Sequence, residues 1–220
     1  MAPAAIRRRD NQPMTELILI RHGETDWNRR QCFQGQIDVP LNNLGLAQAQ
    51  RLGARLAGEA IDALVVSDLS RTRQTAAPTA AALNLVPHYT PTLREQAFGL
   101  LEGLSFDEIR VKHPAEFALW VQHDPSYALP GGAESRQVFH ARVTRALHEV
   151  AERHLGQRVA VVTHGGVLDM VWRSAKSLSL HGPRECAIPN TGINRVLLSN
   201  GRFEILSWAE DEHLQGLQVD

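Results

Sequence analysis

Apolar positions along this chain alternate between short unbroken runs and longer periodic stretches. Leu17-Ile18-Leu19-Ile20 is the clearest run: four consecutive branched aliphatics between polar neighbours suit a strand covered on both faces better than an amphipathic helix. Asp62 to Val66 and Val159 to Val162 repeat the pattern. Asn42 is placed to cap a helix from Leu44 to Gly58, with Leu44, Gln48, Leu52 and Leu56 on one face. An alanine-rich helix follows from Ser70 to Leu83, where Pro78 is expected to kink or divide it. Phe139, Val143, Ala146, Leu147, Val150 and Ala151 recur at helical spacing and predict the longest helix, Glu134 to His154. A helix from Val167 to Lys176 follows the third strand, and Arg195 to Ser199 with Phe203 to Trp208 predict a closing hairpin about Asn200-Gly201.

Two stretches resist this pattern. Asp26 to Pro40 reads as a loop, and the sequence from Asn84 to Gly103 is broken by Pro87, Pro91 and Gly99. Ser105 and Glu108 form a capping box, so a short helix begins there and a second follows a break at Pro114, before Pro125, Pro130, Gly131 and Gly132 end the segment. The irregular stretch at about 96–133 is read as a lid over the sheet edge. Strand and helix alternation makes the chain α/β: a three-layer α/β/α arrangement with a mainly parallel central sheet, as one domain over 14–220. Residues 1–13 are read as a frayed leader: Arg7-Arg8-Arg9 could be an address, but no apolar segment follows them as in a signal peptide.

The three strand runs end in polar residues of one kind. The first runs into Arg21-His22-Gly23, the second into Ser67 with Arg71 shortly after, and the third into Thr163-His164-Gly165-Gly166. In parallel sheets ligands collect outside the carboxyl ends of the strands. If the three strands are neighbours, His22, Arg71 and His164 meet at one edge.

Composition narrows the partners. A formal net charge of -1 over 220 residues gives no global attraction to nucleic acid or an acidic membrane, so an anion site has to be local. Cys32 and Cys186 stand far apart and form neither a zinc pattern nor a disulfide framework, which points to a reducing, cytoplasmic setting. No run approaches the roughly 20 apolar residues of a membrane span. An uncovered edge strand or an apolar lid would allow a homodimer, and nothing in the sequence requires one.

The strand ends carry a resemblance. Arg21-His22-Gly23-Glu24-Thr25, Ser67-Asp68-Leu69-Ser70-Arg71 with Thr75-Ala76, Leu93-Arg94-Glu95 with Phe98-Gly99 and Glu102-Gly103, and Thr163-His164-Gly165-Gly166 resemble the four signatures of the histidine phosphatase superfamily, also called the phosphoglycerate mutase-like family. They stand in the same order and at similar separations, from about Glu16 to Ser207. The resemblance implies a phosphoglycerate mutase-like fold and phosphoryl transfer from a small phosphomonoester through a phosphohistidine, with no cofactor and no metal. His22 would be the nucleophile, which requires a neutral ring. Arg21 and Arg71 disfavour its protonated form, and an acceptor that the sequence does not identify would fix the tautomer. Arg21 and Arg71 offer forked donors to phosphate oxygens, and His164 would donate from the far side. Asn28, Gln34, Gly35 and Gly165 match family phosphate contacts, although Asn28 and Gln34 equally suit turn residues. Glu95 would protonate the leaving oxygen and then activate water, with Glu102 of the same loop as its rival.

Within the family the catalytic motifs serve both phosphatases and mutases. Compared with bisphosphoglycerate-using mutases, Phe106 stands where a lysine would be and Val121-Gln122 where paired arginines would be. Phe98, Phe106, Phe117, Trp120 and Tyr127 either line the pocket or form the lid's own core, with Arg110 and Lys112 still able to face it. Hydrolysis of small phosphorylated metabolites is the favoured expectation, phosphoglycerate interconversion the second, and a non-catalytic phospho-ligand module the third.

Overall fold

The computed structural model describes residues 14–217, so the leader reading of 1–13 lies outside the described residues. β1 (Thr15–Arg21) runs through the middle of the molecule, every side chain from Thr15 to Ile20 buried. Leu17 and Leu19 pack into one cluster with Phe139, Val143, Leu147, Val167 and Leu168, whereas Ile18 and Ile20 pack into another with Leu52, Leu56 and Ala76. The unbroken aliphatic run exists because alternate residues serve two different cores.

The remaining elements, in chain order, are α1 (Asp26–Arg29), α2 (Asn43–Leu56), β2 (Ala63–Ser67), α3 (Ser70–Leu83), β3 (His88–Thr90), α4 (Phe106–Lys112), α5 (Pro114–Trp120), α6 (Arg136–Arg153), β4 (Arg158–Thr163), α7 (Gly165–Lys176), β5 (Ile193–Ser199) and β6 (Arg202–Glu210). They build a six-stranded sheet in the order β3-β2-β4-β1-β5-β6. β1, β2, β3 and β4 are mutually parallel, and β5 and β6 add an antiparallel pair beside β1. Helices α2 and α3 cover one face, α6 and α7 the other. The turn of the closing hairpin, Asn200-Gly201, has φ of 50° and 71°, as its Asn-Gly sequence predicts.

Three expectations are corrected. Helix α3 continues through Pro78 without division. Gly53 of α2 leaves room for that turn, since a Cβ there would come within 2.8 Å of the Pro78 ring. The buried stripe of α2 is Gly45, Ala49, Leu52, Gly53 and Leu56, so Leu44 and Gln48 sit at its margin. Gln48 turns outward from the core to accept from the backbone N–H of Glu24 at 2.8 Å, bracing the loop after β1. Finally, β3 has no counterpart in the sequence pattern: three residues just after Pro87 are too few to show a period, and pairing with β2 alone makes them a strand.

The segment over 96–133 has the two short helices expected of it, α5 beginning at Pro114. Leu101, Ile109 and Leu129 of this segment form a small core with Phe33 from the stretch between α1 and α2, and Phe98, Phe117, Trp120 and Tyr127 pack against it.

Candidate active site

The register of the sheet assembles the site. Arg21 at the end of β1 pairs with Thr163 at the end of β4, so His22 and His164 leave the sheet side by side with ring centroids 5.3 Å apart. Both rings are buried. His22 Nδ1 donates to the carbonyl of Gly23 at 2.7 Å, which supplies the acceptor the sequence does not identify. Nε2 is thereby left as the unprotonated nitrogen. Burial, reinforced by the guanidinium groups of Arg71 and Arg21, holds the His22 pKa well below its ordinary value. Asn190 Nδ2 donates to the His22 carbonyl at 2.8 Å and steadies the backbone at that point.

Arg71, at the start of α3, is fully buried. It donates from Nη1 to the Ile37 carbonyl at 2.9 Å, from Nη2 to the Gly35 carbonyl at 2.7 Å, and from Nε to His164 Nδ1 at 3.3 Å. Burial pulls its pKa down to about 10. Because Nδ1 of His164 accepts from a cation, the proton of that ring resides on Nε2, which donates to Ser67 Oγ at 2.8 Å. Both nitrogens of His164 are therefore occupied. In this arrangement His164 aligns Arg71, and its own pKa is pushed well below the ordinary value by burial and then by Arg71.

Two buried neutral histidines make stability depend on pH. Each has a folded pKa below the ordinary 6.5, so below that value the unfolded chain takes up protons that the folded chain refuses. Unfolding free energy is expected to fall as pH drops below 6.5, by up to about 1.4 kcal/mol per pH unit for each ring. Urea unfolding at several pH values checks this, and His22→Gln is expected to flatten the slope.

Arg21 donates from Nη1 to the Ile188 carbonyl at 2.8 Å, and its Nε–H is buried without a partner. Its pKa is lowered to about 10, by burial first and by neighbouring Arg184 second. An anion in the pocket would satisfy the stranded donor. Gln34 is also buried, with Oε1 unpartnered; a half-turn of its amide puts Nε2–H at the same place. Asn28 accepts from Thr25 N and Thr25 Oγ1 in the capping box of α1, so the turn role is real, and the residue also lines the pocket. Gly35 lines the pocket too, but its observed bond runs through its carbonyl to Arg71. Gly165 opens α7 between two cations: a Cβ there would lie 3.5 Å from both Arg21 Nε and Arg184 Nη1.

Glu95 hangs over this group from the loop after β3. Its Oε1 accepts from Gln96 N at 2.9 Å and its Oε2 from Gly166 N at 2.9 Å, so the carboxylate sits on the first turn of α7. Arg142 clamps the loop, donating to the carbonyls of Thr92, Arg94 and Glu95 while paired with Glu134. Glu102, the rival, faces elsewhere: its Oε1 accepts from Gln36 N and Phe98 N and staples two loops. Gly166 is tied to this geometry because a Cβ there would fall 2.1 Å from Glu95 Oε1. Gly166→Ala is expected to displace the carboxylate and lower kcat roughly ten- to hundred-fold, with a modest fall in the midpoint of thermal unfolding because the same Cβ would lie 3.0 Å from the buried Phe139 ring.

Two cavities meet at Glu95. One, of about 260 Å³, holds Arg21, His22, Gln34 and Arg71. The other, of about 350 Å³, is walled by Trp120, Tyr127 and Phe139. Phe33, Glu95, Phe98, Phe106 and Arg184 line both. A neutral, oriented imidazole beside buried arginines, under a carboxylate, with an adjoining aromatic chamber, is suited to holding a phosphoryl group with its ester oxygen towards Glu95.

The model of the histidine phosphatase superfamily (branch 1) matches residues 17–211. The chain belongs to this superfamily. A metal-independent phosphoserine phosphatase of Arabidopsis thaliana is 36% identical over 208 residues, 93% of this chain and 85% of that protein. Phosphoglycerate mutase-like protein 4, also of Arabidopsis thaliana, is 34% identical over 203 residues, 91% of this chain and 87% of that protein. The solved structure of Bacillus stearothermophilus YhfR superposes with a TM-score of 0.81 at 32% identity, covering 91% of this chain and all of the other (100%).

Among the residues that this histidine phosphatase brings to one place, His22, Arg21, Arg71 and His164 are legible from the strand ends, and Glu95 from the resemblance. Arg110 and Lys112, expected to be able to face the pocket, instead pair with Asp107 and Glu108 on the surface. Of the aromatics, Phe98, Trp120 and Tyr127 both line the chamber and pack against the small core around Leu101; Phe106 lines the chamber with its ring 5.1 Å from that of Phe33, and Phe117 only packs. His123 also lines the chamber. Arg184, on the loop after α7, and Arg136, the first residue of α6, carry no local signal, since no sequence pattern marks an arginine that tertiary structure brings to the chamber.

Proposed function

We propose that the chain hydrolyses phosphomonoesters of small metabolites in two steps. His22 Nε2 attacks phosphorus, the bond to the ester oxygen breaks, and that oxygen takes the proton of Glu95 as the alcohol leaves. Water then gives a proton to Glu95 and attacks the phosphohistidine; the P–N bond breaks, its electrons return to Nε2, and phosphate departs. Arg21 and Arg71 hold the equatorial oxygens in both steps. The cycle as written uses the chain's own groups and water. The observation that carries the reading is the tautomer of His22: Nδ1 is committed to the Gly23 carbonyl. Its remaining nitrogen belongs to a buried, neutral ring in the cavity that contains both arginines.

Phosphatase and mutase differ in whether water or a second hydroxyl receives the phosphoryl group. Phe106 in both cavities, where a mutase would have a lysine, favours water, as does the similarity to a phosphoserine phosphatase. The deciding measurement follows phosphate and 2-phosphoglycerate together during incubation with 3-phosphoglycerate. Phosphate should dominate. Faster formation of 2-phosphoglycerate would make the chain a mutase, and binding without either product would make it a phospho-ligand module. No helix among the described residues is long and apolar enough to cross a membrane. Cys32 and Cys186 are both free, which supports a cytoplasmic setting.

A further inference from the structure

The tautomer of His22 depends on one acceptor, the Gly23 carbonyl, 2.7 Å from Nδ1. Glycine is required there, since a Cβ would come within 2.6 Å of the Gly45 carbonyl oxygen, but a glycine leaves the direction of its own carbonyl soft. The peptide planes on either side of Gly23 are gripped from outside. In the first plane the His22 carbonyl accepts from Asn190 Nδ2 at 2.8 Å, and the Gly23 N–H donates to Thr75 Oγ1 at 2.9 Å. In the second the Gly23 carbonyl accepts from His22 Nδ1, and the Glu24 N–H donates to Gln48 Oε1 at 2.8 Å. The three side chains come from three parts of the fold: Gln48 from α2, Thr75 from α3 and Asn190 from the loop before β5.

The placement of Asn190 is itself forced. Thr191 beside it is fully buried and has φ of 54°, a left-handed conformation that a β-branched residue keeps only where its surroundings impose it. The bonds of this turn face the same dipeptide. Thr191 N donates to the Arg21 carbonyl at 3.0 Å, the Ile188 carbonyl accepts from Arg21 Nη1 at 2.8 Å, and Thr191 Oγ1 donates to the Asn190 carbonyl at 2.8 Å. The strained turn thus grips Arg21 and sets Asn190 against the His22 carbonyl.

We propose that Gln48, Thr75 and Asn190 are positioning residues for the nucleophile. Together they fix the two peptide planes about Gly23, and through the Gly23 carbonyl they keep the proton of His22 on Nδ1 and leave Nε2 bare towards the pocket. A neutral imidazole without an acceptor at Nδ1 carries its proton mainly on Nε2, the nitrogen that has to attack. None of the three residues lines either cavity, so their effect on the chemistry passes through the backbone of His22 and Gly23. This rests on the reading of His22 as the nucleophile.

Gln48 is the cleanest probe: it is half-buried and reaches His22 only through Glu24, whereas Thr75 also donates to the Arg71 carbonyl at 2.6 Å. Gln48→Met keeps the length of the side chain and removes the acceptor, and Gln48→Glu keeps an oxygen for the Glu24 N–H. The first measurement is nitrogen NMR of isotope-labelled histidine rings in the full chain near neutral pH, with His22→Ala identifying the His22 signals among the ten histidines. Wild type should show Nδ1 protonated and Nε2 bare. In Gln48→Met and in Asn190→Ala the two nitrogen shifts should draw together as the proton moves to Nε2, and in Gln48→Glu they should return towards the wild-type pair. With p-nitrophenyl phosphate, kcat should fall roughly ten-fold in Gln48→Met and recover most of the loss in Gln48→Glu, in step with the fraction of rings that keep Nε2 bare. KM should stay within about three-fold, because Arg21 and Arg71 are untouched. Unchanged ring shifts in Gln48→Met and Asn190→Ala would overturn the proposal, whatever happens to kcat, and leave these residues as loop braces. A wild-type His22 protonated on Nε2 would overturn it as well. The ring shifts are read without turnover, so a wild type that shows the expected pair and hydrolyses no ester would sink the phosphatase reading and leave the positioning standing.

Discussion

His22→Ala is expected to lower kcat for phosphate release by roughly four orders of magnitude or more, the loss typical of deleting a covalent nucleophile. The size follows from geometry. His22 contributes the atom that accepts the phosphoryl group, and neighbouring His164 has no nitrogen to lend, since Nδ1 accepts from Arg71 and Nε2 donates to Ser67. The arginines and the pocket remain, so phosphate and phosphate esters should still bind, and KM or Kd should change far less than kcat. Wild type quenched during turnover should carry an acid-labile, base-stable phosphoryl group that the variant lacks. Substantial activity in the variant would mean that water attacks the ester directly and that no phosphohistidine forms.

Glu95→Gln is the second large effect, expected at roughly 10²- to 10⁴-fold in kcat on alkyl phosphates. Glutamine keeps an oxygen for one of the two backbone donors, Gln96 N and Gly166 N, and has no proton to give or base to offer. The two steps should separate with p-nitrophenyl phosphate, whose phenolate departs without help. The first turnover should then be nearly normal and release a burst equal to the enzyme present, after which slow attack by water limits the rate. Alkyl esters should show no burst, because their first step also needs the proton. If Glu95→Gln slowed both substrates equally and without a burst, Glu95 would be only a bracing residue. Glu102→Gln is the natural control: its carboxylate accepts from Gln36 N and Phe98 N, so its loss should raise KM and soften the loop without producing a burst.

Much of this site is legible in the order of residues alone, and for an identifiable reason. Strand ends are local: Leu17 to Ile20 must be a buried strand because both faces are aliphatic, and whatever follows it must emerge at an edge. Three such strands bring His22, Arg71 and His164 together if they are neighbours, and the parallel register of Arg21 with Thr163 realises it. The capping residues Asn42 and Ser105 and the turn Asn200-Gly201 are equally local, and each stands at the position its sequence signal marks.

What lies out of reach depends on long-range contacts. Which nitrogen of His22 is free follows from the direction of the Gly23 carbonyl, a backbone angle no residue pattern encodes. That the Glu95 carboxylate reaches Gly166 at the start of α7, 71 residues further along the chain, is likewise a tertiary contact. β3 is a strand only because β2 pairs with it. The orientation of His164 comes from Arg71 and Ser67, which bond its two ring nitrogens from distant parts of the chain. Arg184 comes to the site on a loop whose carbonyls accept from Arg173 and Arg136. The sequence by itself thus determined the buried strands β1, β2 and β4, the closing hairpin, the longer helices and the chemistry carried at the strand ends, because burial and capping act over a few neighbouring residues. Only tertiary structure decided protonation, orientation and the second cavity, because a buried hydrogen-bonding group takes its state from partners the chain brings in from a distance.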